Sequence, residues 1–293
     1  MHRFAMLTAL ATFFLLIAGG MVTSTNSGLA VPDWPLSYGM WFPPMVGGIF
    51  YEHGHRMVAA VVGLLILALA VGLGRGEPRR WVRRLGYAAL GAVVLQALLG
   101  GMTVLWLLPP QLSIAHACLG QLVCCLVVSL AWCTAPQRPQ AARQFGADAR
   151  GHSVTVAAAA FLQLLLGAVI RHTGAAVVPH LLGAAALLAL AIALAWRVRR
   201  DPALRPDGWR LLGLLIVQGG LGLAVLGHRA HPILRTSHVA VGALVLAQTV
   251  VLAWESFRWA PTPTAPQHRG QKGRWLMWGR AGAAEDPASM APS

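Results

Sequence analysis

Long apolar runs broken by short polar stretches give the first picture of this chain. Runs of about twenty residues recur in which leucine, alanine and valine dominate, long enough to cross a bilayer as helices. Eight spans can be drawn, near residues 4–22, 55–73, 85–105, 113–132, 154–170, 180–196, 211–226 and 238–254. The predicted fold class is an all-α membrane protein with eight transmembrane helices. The first run has the position of a signal peptide. It lacks a clear small-residue cleavage site and passes into a Gly/Ser/Thr segment, so it is read as a retained span.

The polar breaks set the orientation. Arg75, Arg79, Arg80, Arg83 and Arg84 lie between the second and third spans. Arg138, Arg143 and Arg150 follow the fourth, and Arg197, Arg199, Arg200, Arg205 and Arg210 follow the sixth. Arginine-rich loops stay in the cytoplasm, which puts both termini there too. The remaining loops face outward. The longest, 23–51, carries Asp33-Trp34-Pro35 and Trp41-Phe42-Pro43-Pro44, rigid and interfacial residues suited to a lid over the membrane face.

A repeat divides the chain. Gln96-x-x-x-Gly100, Gln163-x-x-x-Gly167 and Gln218-x-x-x-Gly222 recur in the third, fifth and seventh spans. His116-x-x-x-Gly120 and His238-x-x-x-Gly242 recur in the fourth and eighth. Small residues allow helices to approach closely. The expected architecture is two pseudo-symmetric four-helix bundles related by an axis along the membrane normal. The halves are 1–134 and 154–259, joined by a cytoplasmic linker at 135–153 and followed by a disordered tail at 260–293, rich in Pro, Ala, Gly and charge.

Composition agrees: 57% of the 293 residues are hydrophobic and 11% charged, against about a quarter charged in soluble domains. The net charge of +14 does not indicate nucleic-acid binding, because the arginines sit in loops between spans rather than along one face. The four cysteines, Cys118, Cys124, Cys125 and Cys133, fall in or at the end of one apolar run and read as small packing residues rather than a disulfide framework.

The candidate chemistry lies in histidines. His55, His116, His180 and His238 begin the second, fourth, sixth and eighth spans, all at the outer side. Histidines at matching height on facing helices supply the two axial ligands of a haem iron, and four supply two haems, one per half. A lone histidine at a helix mouth is more often an interfacial polar residue; four on alternate spans favour ligation. His53, His172, His228 and His231 read as solvated. Arg56, Arg171, Arg229 and Arg235 break the positive-inside bias beside these histidines, and guanidinium forks suit anionic haem propionates. Glu52 shares a helix face with His55 and Arg56. It reads either as Arg56's ion-pair partner or as a base or charge stabiliser at a haem edge.

These residues resemble the heme A synthase family over nearly all of the eight-span region. The resemblance is carried by G-L-A-V-P-D-W-P-L at residues 28–36 and by G-G-I-F-Y-E-H-G-H-R at residues 47–56, which match a D-W-P-type segment followed by E-x-x-H-R. His116, His180 and His238 match the remaining family ligands. The resemblance implies a membrane oxidoreductase that converts a ring methyl group of haem O to a formyl group through hydroxylated stages, making haem A for terminal oxidases. It implies that His55 and His116 hold the substrate haem beside a catalytic Glu52, and that His180 and His238 hold a haem b cofactor. Haem O synthase, terminal-oxidase assembly factors and an electron acceptor would be its partners in the bacterial cytoplasmic membrane, with a homo-oligomer compatible. Some members carry a cysteine pair in an outer loop; this chain does not, so its electron route is not theirs.

Two other readings compete. A diheme b-type electron-transfer protein accounts for four histidines but not for Glu52 or the long loop. A haem-handling transporter would be expected to show W-G-x-x-W-x-W-D, which is absent.

Overall fold

A computed structural model describes residues 1–136 and 147–258. The described chain forms eight helices: α1 (His2–Ser24), α2 (Gly47–Gly76), α3 (Arg80–Leu105), α4 (Pro110–Cys133), α5 (Ala147–Thr173), α6 (Val177–Val198), α7 (Arg205–Gly227) and α8 (Pro232–Arg258). All eight are long and apolar enough to cross a membrane. The shortest has 22 residues, which at 1.5 Å per residue matches a hydrocarbon core of about 30 Å. The protein is a multi-pass, all-helical membrane protein. Among the described residues the only strand-like feature is an isolated bridge between Ser37 and Met40.

Each helix runs beyond its apolar stretch. The largest difference is in α2, which begins at Gly47 rather than near His55. Glu52, His53, His55 and Arg56 therefore lie inside the helix. The hydropathy pattern ends the span at these residues because it prices them as unpaired; the loop before α2 supplies partners for Glu52, Arg56 and Nδ1 of His53. The end of the expected linker, residues 147–153, belongs to α5. Arg138, Arg143, most of that linker and the tail at 260–293 lie outside the described residues.

Neighbouring helices pack in two closed sets. α1 packs on α2 and α4, and α3 on α2 and α4; α5 packs on α6 and α8, and α7 on α6 and α8. In each set α2 and α4, or α6 and α8, stand diagonally. The sets meet through α1, α4, α5 and α8. Each has its own apolar core: Val62, Ile66, Leu69, Leu73, Val127 and Leu130 in the first, and Leu187, Leu194, Leu204, Leu211 and Leu252 in the second. Both cores lie toward one end of the bundle, where α1, α3, α5 and α7 begin. The histidines occupy the other end.

Polar and aromatic contacts fasten the sets together. At the core end the Trp254 ring stacks on Trp132 and Trp81, with centroids 5.4 and 5.8 Å apart. Its indole N–H donates to Ser129 Oγ at 2.8 Å. At the histidine end Arg171 of α5 donates to Gly20 O and Ser24 Oγ of α1, at 2.8 and 2.7 Å. Thr236 of α8 donates to the same Ser24 at 2.9 Å.

The α3–α4 turn is tight. Leu107 and Leu108 both take positive φ, 60° and 59°, an uncommon conformation for bulky residues. Their amides close on carbonyls at the end of α3: Leu107 N on Val104 O at 3.1 Å and Leu108 N on Thr103 O at 2.7 Å. A left-handed helix ending satisfies orphan carbonyls in this way. The Leu108 side chain lies against Gly28 of the α1–α2 loop.

Candidate functional site

Each of the four alternate-helix histidines lies against a glycine of the preceding helix. A β-carbon at Gly19 or Gly100 would stand 3.0 Å from Cε1 of His55 or His116. One at Gly167 or Gly222 would stand 3.2 Å from Cε1 of His180 or His238. The glycines thus let a bulky imidazole sit between helices without forcing them apart. All four rings are half-buried. His180 and His238, on diagonal helices, face each other with ring centroids 6.4 Å apart.

Glutamines accompany three of the four. Gln96 Nε2 lies 3.4 Å from His116 Nε2, Gln163 Nε2 3.0 Å from His180 Nδ1, and Gln218 Nε2 3.4 Å from His238 Nε2. Gln96 and Gln163 also donate to the main-chain carbonyl of their histidine, both at 2.9 Å. Nδ1 of His55, His116 and His238 is buried without a hydrogen-bond partner, and so is Oε1 of all three glutamines. The sequence showed these glutamines only as a repeat; the spacing itself was the signal.

The loop between α1 and α2, residues 25–46, is fastened to the second turn of α2. Glu52 is 3% exposed. Its Oε1 accepts from Arg56 Nη2 at 2.7 Å, and its Oε2 accepts from the Val31 amide at 2.8 Å. Arg56 reaches back along the loop, donating through Nη1 to Asp33 O and Leu36 O at 2.7 and 2.8 Å. His53, expected to be solvated, is only 7% exposed; its Nδ1 lies 2.7 Å from Ser37 Oγ, and its Nε2 is buried without a partner. Ser37 lies sixteen residues earlier in the chain, so sequence proximity gave no hint of the pair.

Asp33 shapes the loop turn. Its two carboxylate oxygens accept from the Tyr38 and Gly39 amides at 2.6 and 2.8 Å. The Gly39 amide is the main reason its carboxyl is held below the usual carboxylate range; the Tyr38 amide and the Arg56 charge add to this, and partial desolvation opposes it.

The four arginines near the histidines divide. Arg56 is committed to the loop and to Glu52. Arg171 is half-buried between α5 and α1, Arg235 is half-buried on the first turn of α8, and Arg229 is exposed in the α7–α8 turn. Among the described residues none of these last three pairs with a carboxylate. His172 is half-buried, whereas His228 and His231 are exposed. The four cysteines all lie on α4, three buried and Cys125 half-buried.

The donor set fits a haem. A metal between two imidazoles needs ring centres about 6 Å apart, each metal–nitrogen bond being about 2.0 Å; the His180–His238 pair is at 6.4 Å. The buried Nδ1 of His238 is without a hydrogen-bond partner, which suits a ring nitrogen available to a metal.

Fold and site together define a polytopic helical membrane protein with imidazoles on alternate helices at one end of the bundle. The family model described as "Cytochrome oxidase assembly protein" matches residues 46–181. The chain is 30% identical over 231 residues to the heme A synthase of Symbiobacterium thermophilum, covering 66% of this chain and 75% of that one. It is 30% identical over 182 residues to the heme A synthase of Lysinibacillus sphaericus, covering 60% and 59%. It is 27% identical over 179 residues to that of Geobacillus thermodenitrificans, covering 59% and 56%. The matched region thus spans less than two thirds of the last two relatives. The chain belongs to the heme A synthase family.

Proposed function

We propose that this protein is a heme A synthase, an oxidoreductase that converts a ring methyl group of haem O to a formyl group through hydroxylated stages. The supporting observation is the outer loop clamped by Glu52 and Arg56 onto the turn of α2 that carries His55. A protein that only passes electrons between haems needs no such cap, whereas a site that oxidises a carbon centre gains from one that sheds water.

In this reading His55 and His116 hold the substrate haem, and Glu52 places negative charge beside the ring as the methyl carbon loses electrons. Arg56, Arg171, Arg229 and Arg235 supply cationic donors for propionates, and Arg56 also holds the loop. His180 and His238 would hold haem b, which supplies one-electron chemistry when bound. The two helix sets act as a substrate half and a cofactor half, pseudo-symmetric about the membrane normal. Both termini are cytoplasmic and the histidines lie near the outer face of the bacterial cytoplasmic membrane. A haem O synthase would supply the substrate, terminal-oxidase assembly factors would take the product, and an acceptor outside the chain would take the electrons.

The test is chromatography of haems extracted from membranes that hold the protein and a haem O source. Haem A, with hydroxylated haem, is the expected product. Glu52→Gln should lower it about a hundredfold, the usual worth of one positioned charge, while the protein still binds haem. Recovery of unmodified haem O and haem b alone from the wild type would refute the reading.

A further inference from the structure

We infer that Gln218 is a positioning residue whose amide oxygen accepts the proton on the second ring nitrogen of His238 when that histidine holds iron. The inference rests on the haem-binding reading above and extends it to a residue outside the ligand set.

Three independent features converge on Gln218 and are shared by Gln96 and Gln163. Each stands one helical turn before the glycine that lies against its histidine, on the facing helix. Each amide nitrogen is within 3.0 to 3.4 Å of a ring nitrogen. Each is also given room by a small residue on the histidine's own helix. A β-carbon at Gly120 would be 3.1 Å from Gln96 Nε2, one at Gly242 would be 3.2 Å from Gln218 Nε2, and one at Gly183 would collide with Gln163 Oε1. The double glycine pattern, one against the ring and one against the amide, explains why both Gln-x-x-x-Gly and His-x-x-x-Gly recur.

The unmet hydrogen-bonding capacity gives the pattern its chemistry. All three Oε1 atoms are buried without a donor, and so is Nδ1 of His116 and of His238. A neutral imidazole that gives one nitrogen to a metal carries its proton on the other. That N–H is nearly always held by an acceptor, which fixes the ring and raises its basicity. A half-turn of a glutamine amide exchanges its oxygen and nitrogen, two ends of nearly the same shape. At Gln218 it brings the idle acceptor to the position now held by Nε2, whereas at Gln96 and Gln163 it would set Oε1 against the main-chain carbonyl that Nε2 now bonds at 2.9 Å.

His55 is the exception. Leu15 occupies the place on α1 four residues before Gly19, and Ala59 the place on α2 four residues after His55. Its Nδ1 is buried and unpartnered. His55 is thus the one of the four without a glutamine beside its ring.

The test measures the reduction potential and low-spin electron paramagnetic resonance signal of the haem that depends on His238, in purified wild type, Gln218→Met and Gln218→Glu. Methionine keeps the bulk and removes the acceptor, so the ring supports ferric iron less. The reduction equilibrium should favour the ferrous form by about tenfold or more, an upward shift of about 59 mV. Glutamate is a stronger acceptor and should shift the potential downward. Opposite signs are a signature that a packing role does not produce. If Gln218→Met fails to retain haem, Gln218→Leu takes its place against Gln218→Glu. Wild-type potentials in both variants at wild-type haem content, or shifts of one sign, overturn the inference alone. A wild type without low-spin haem, or a spectrum that survives His238→Ala, removes the haem-binding reading and the inference with it.

Discussion

Glu52 and Arg56 form an ion pair on one helix face, at 4% and 15% side-chain exposure. Removing one partner of so buried a pair leaves a stranded charge, at a cost of about 3–5 kcal/mol. The charge is needed all the same, because the loop offers Arg56 only carbonyls and offers Glu52 only one amide. Asp33 makes the neighbouring turn sensitive to pH in a predictable direction. Its carboxyl is held below the usual range, so its contribution is fully present above the ordinary carboxylate value of about 3.9 and is lost as pH falls through the lowered one. Hydrogen exchange at the Tyr38 and Gly39 amides should stay slow and flat, after correction for intrinsic rates, from about pH 5 to 8. It should rise below about pH 4. Asp33→Asn should abolish that transition, and a transition near neutrality would mean another group governs the turn. The i, i+4 pairing of Glu52 with Arg56 was legible in the sequence. Their loop partners were not: the Val31 amide lies twenty-one residues away, and a backbone donor leaves no trace in side-chain patterning.

At the scale of elements, close approach is bought with glycine. The four glycine–histidine contacts bring helix pairs together where a side chain would part them, and Gly101 of α3 does the same for the loop. A β-carbon there would stand 2.7 Å from Cδ2 of Trp34, a rigid ring atom that has to move bodily. Gly101→Ala should therefore displace the indole and loosen the loop, at about 1–3 kcal/mol for overpacking. Chymotrypsin should then cut within residues 25–46 several-fold faster than in the wild type, with the helices left intact. Equal cutting rates would show that Trp34 does not anchor the loop. The existence of all eight helices was readable from hydropathy, because apolar length is a strong signal. The start of α2 was not, because composition prices Glu52, His53 and Arg56 as though water were their only partner.

At the scale of the molecule, packing and chemistry are separated along the bundle. Leucine and valine cores fill one end of both helix sets, while histidine, glycine and glutamine line the other. Tryptophan stacking at the core end, with the Arg171–Ser24–Thr236 contacts at the histidine end, joins the sets at both levels. A firm base holds the diagonal imidazoles at a fixed spacing, and it leaves the other end to loops. The four histidines were legible as a set because they recur on alternate spans at one level. The Arg171 network was not, since its members come from α1, α5 and α8 and share no local motif. The claim on which the account turns is that His180 and His238 ligate one iron. Electron paramagnetic resonance of the purified protein tests it directly. In protein purified from cells without a haem O source, the account predicts a low-spin bis-imidazole signal of haem b that His180→Ala and His238→Ala each abolish, and the same signal persisting in both variants would contradict it.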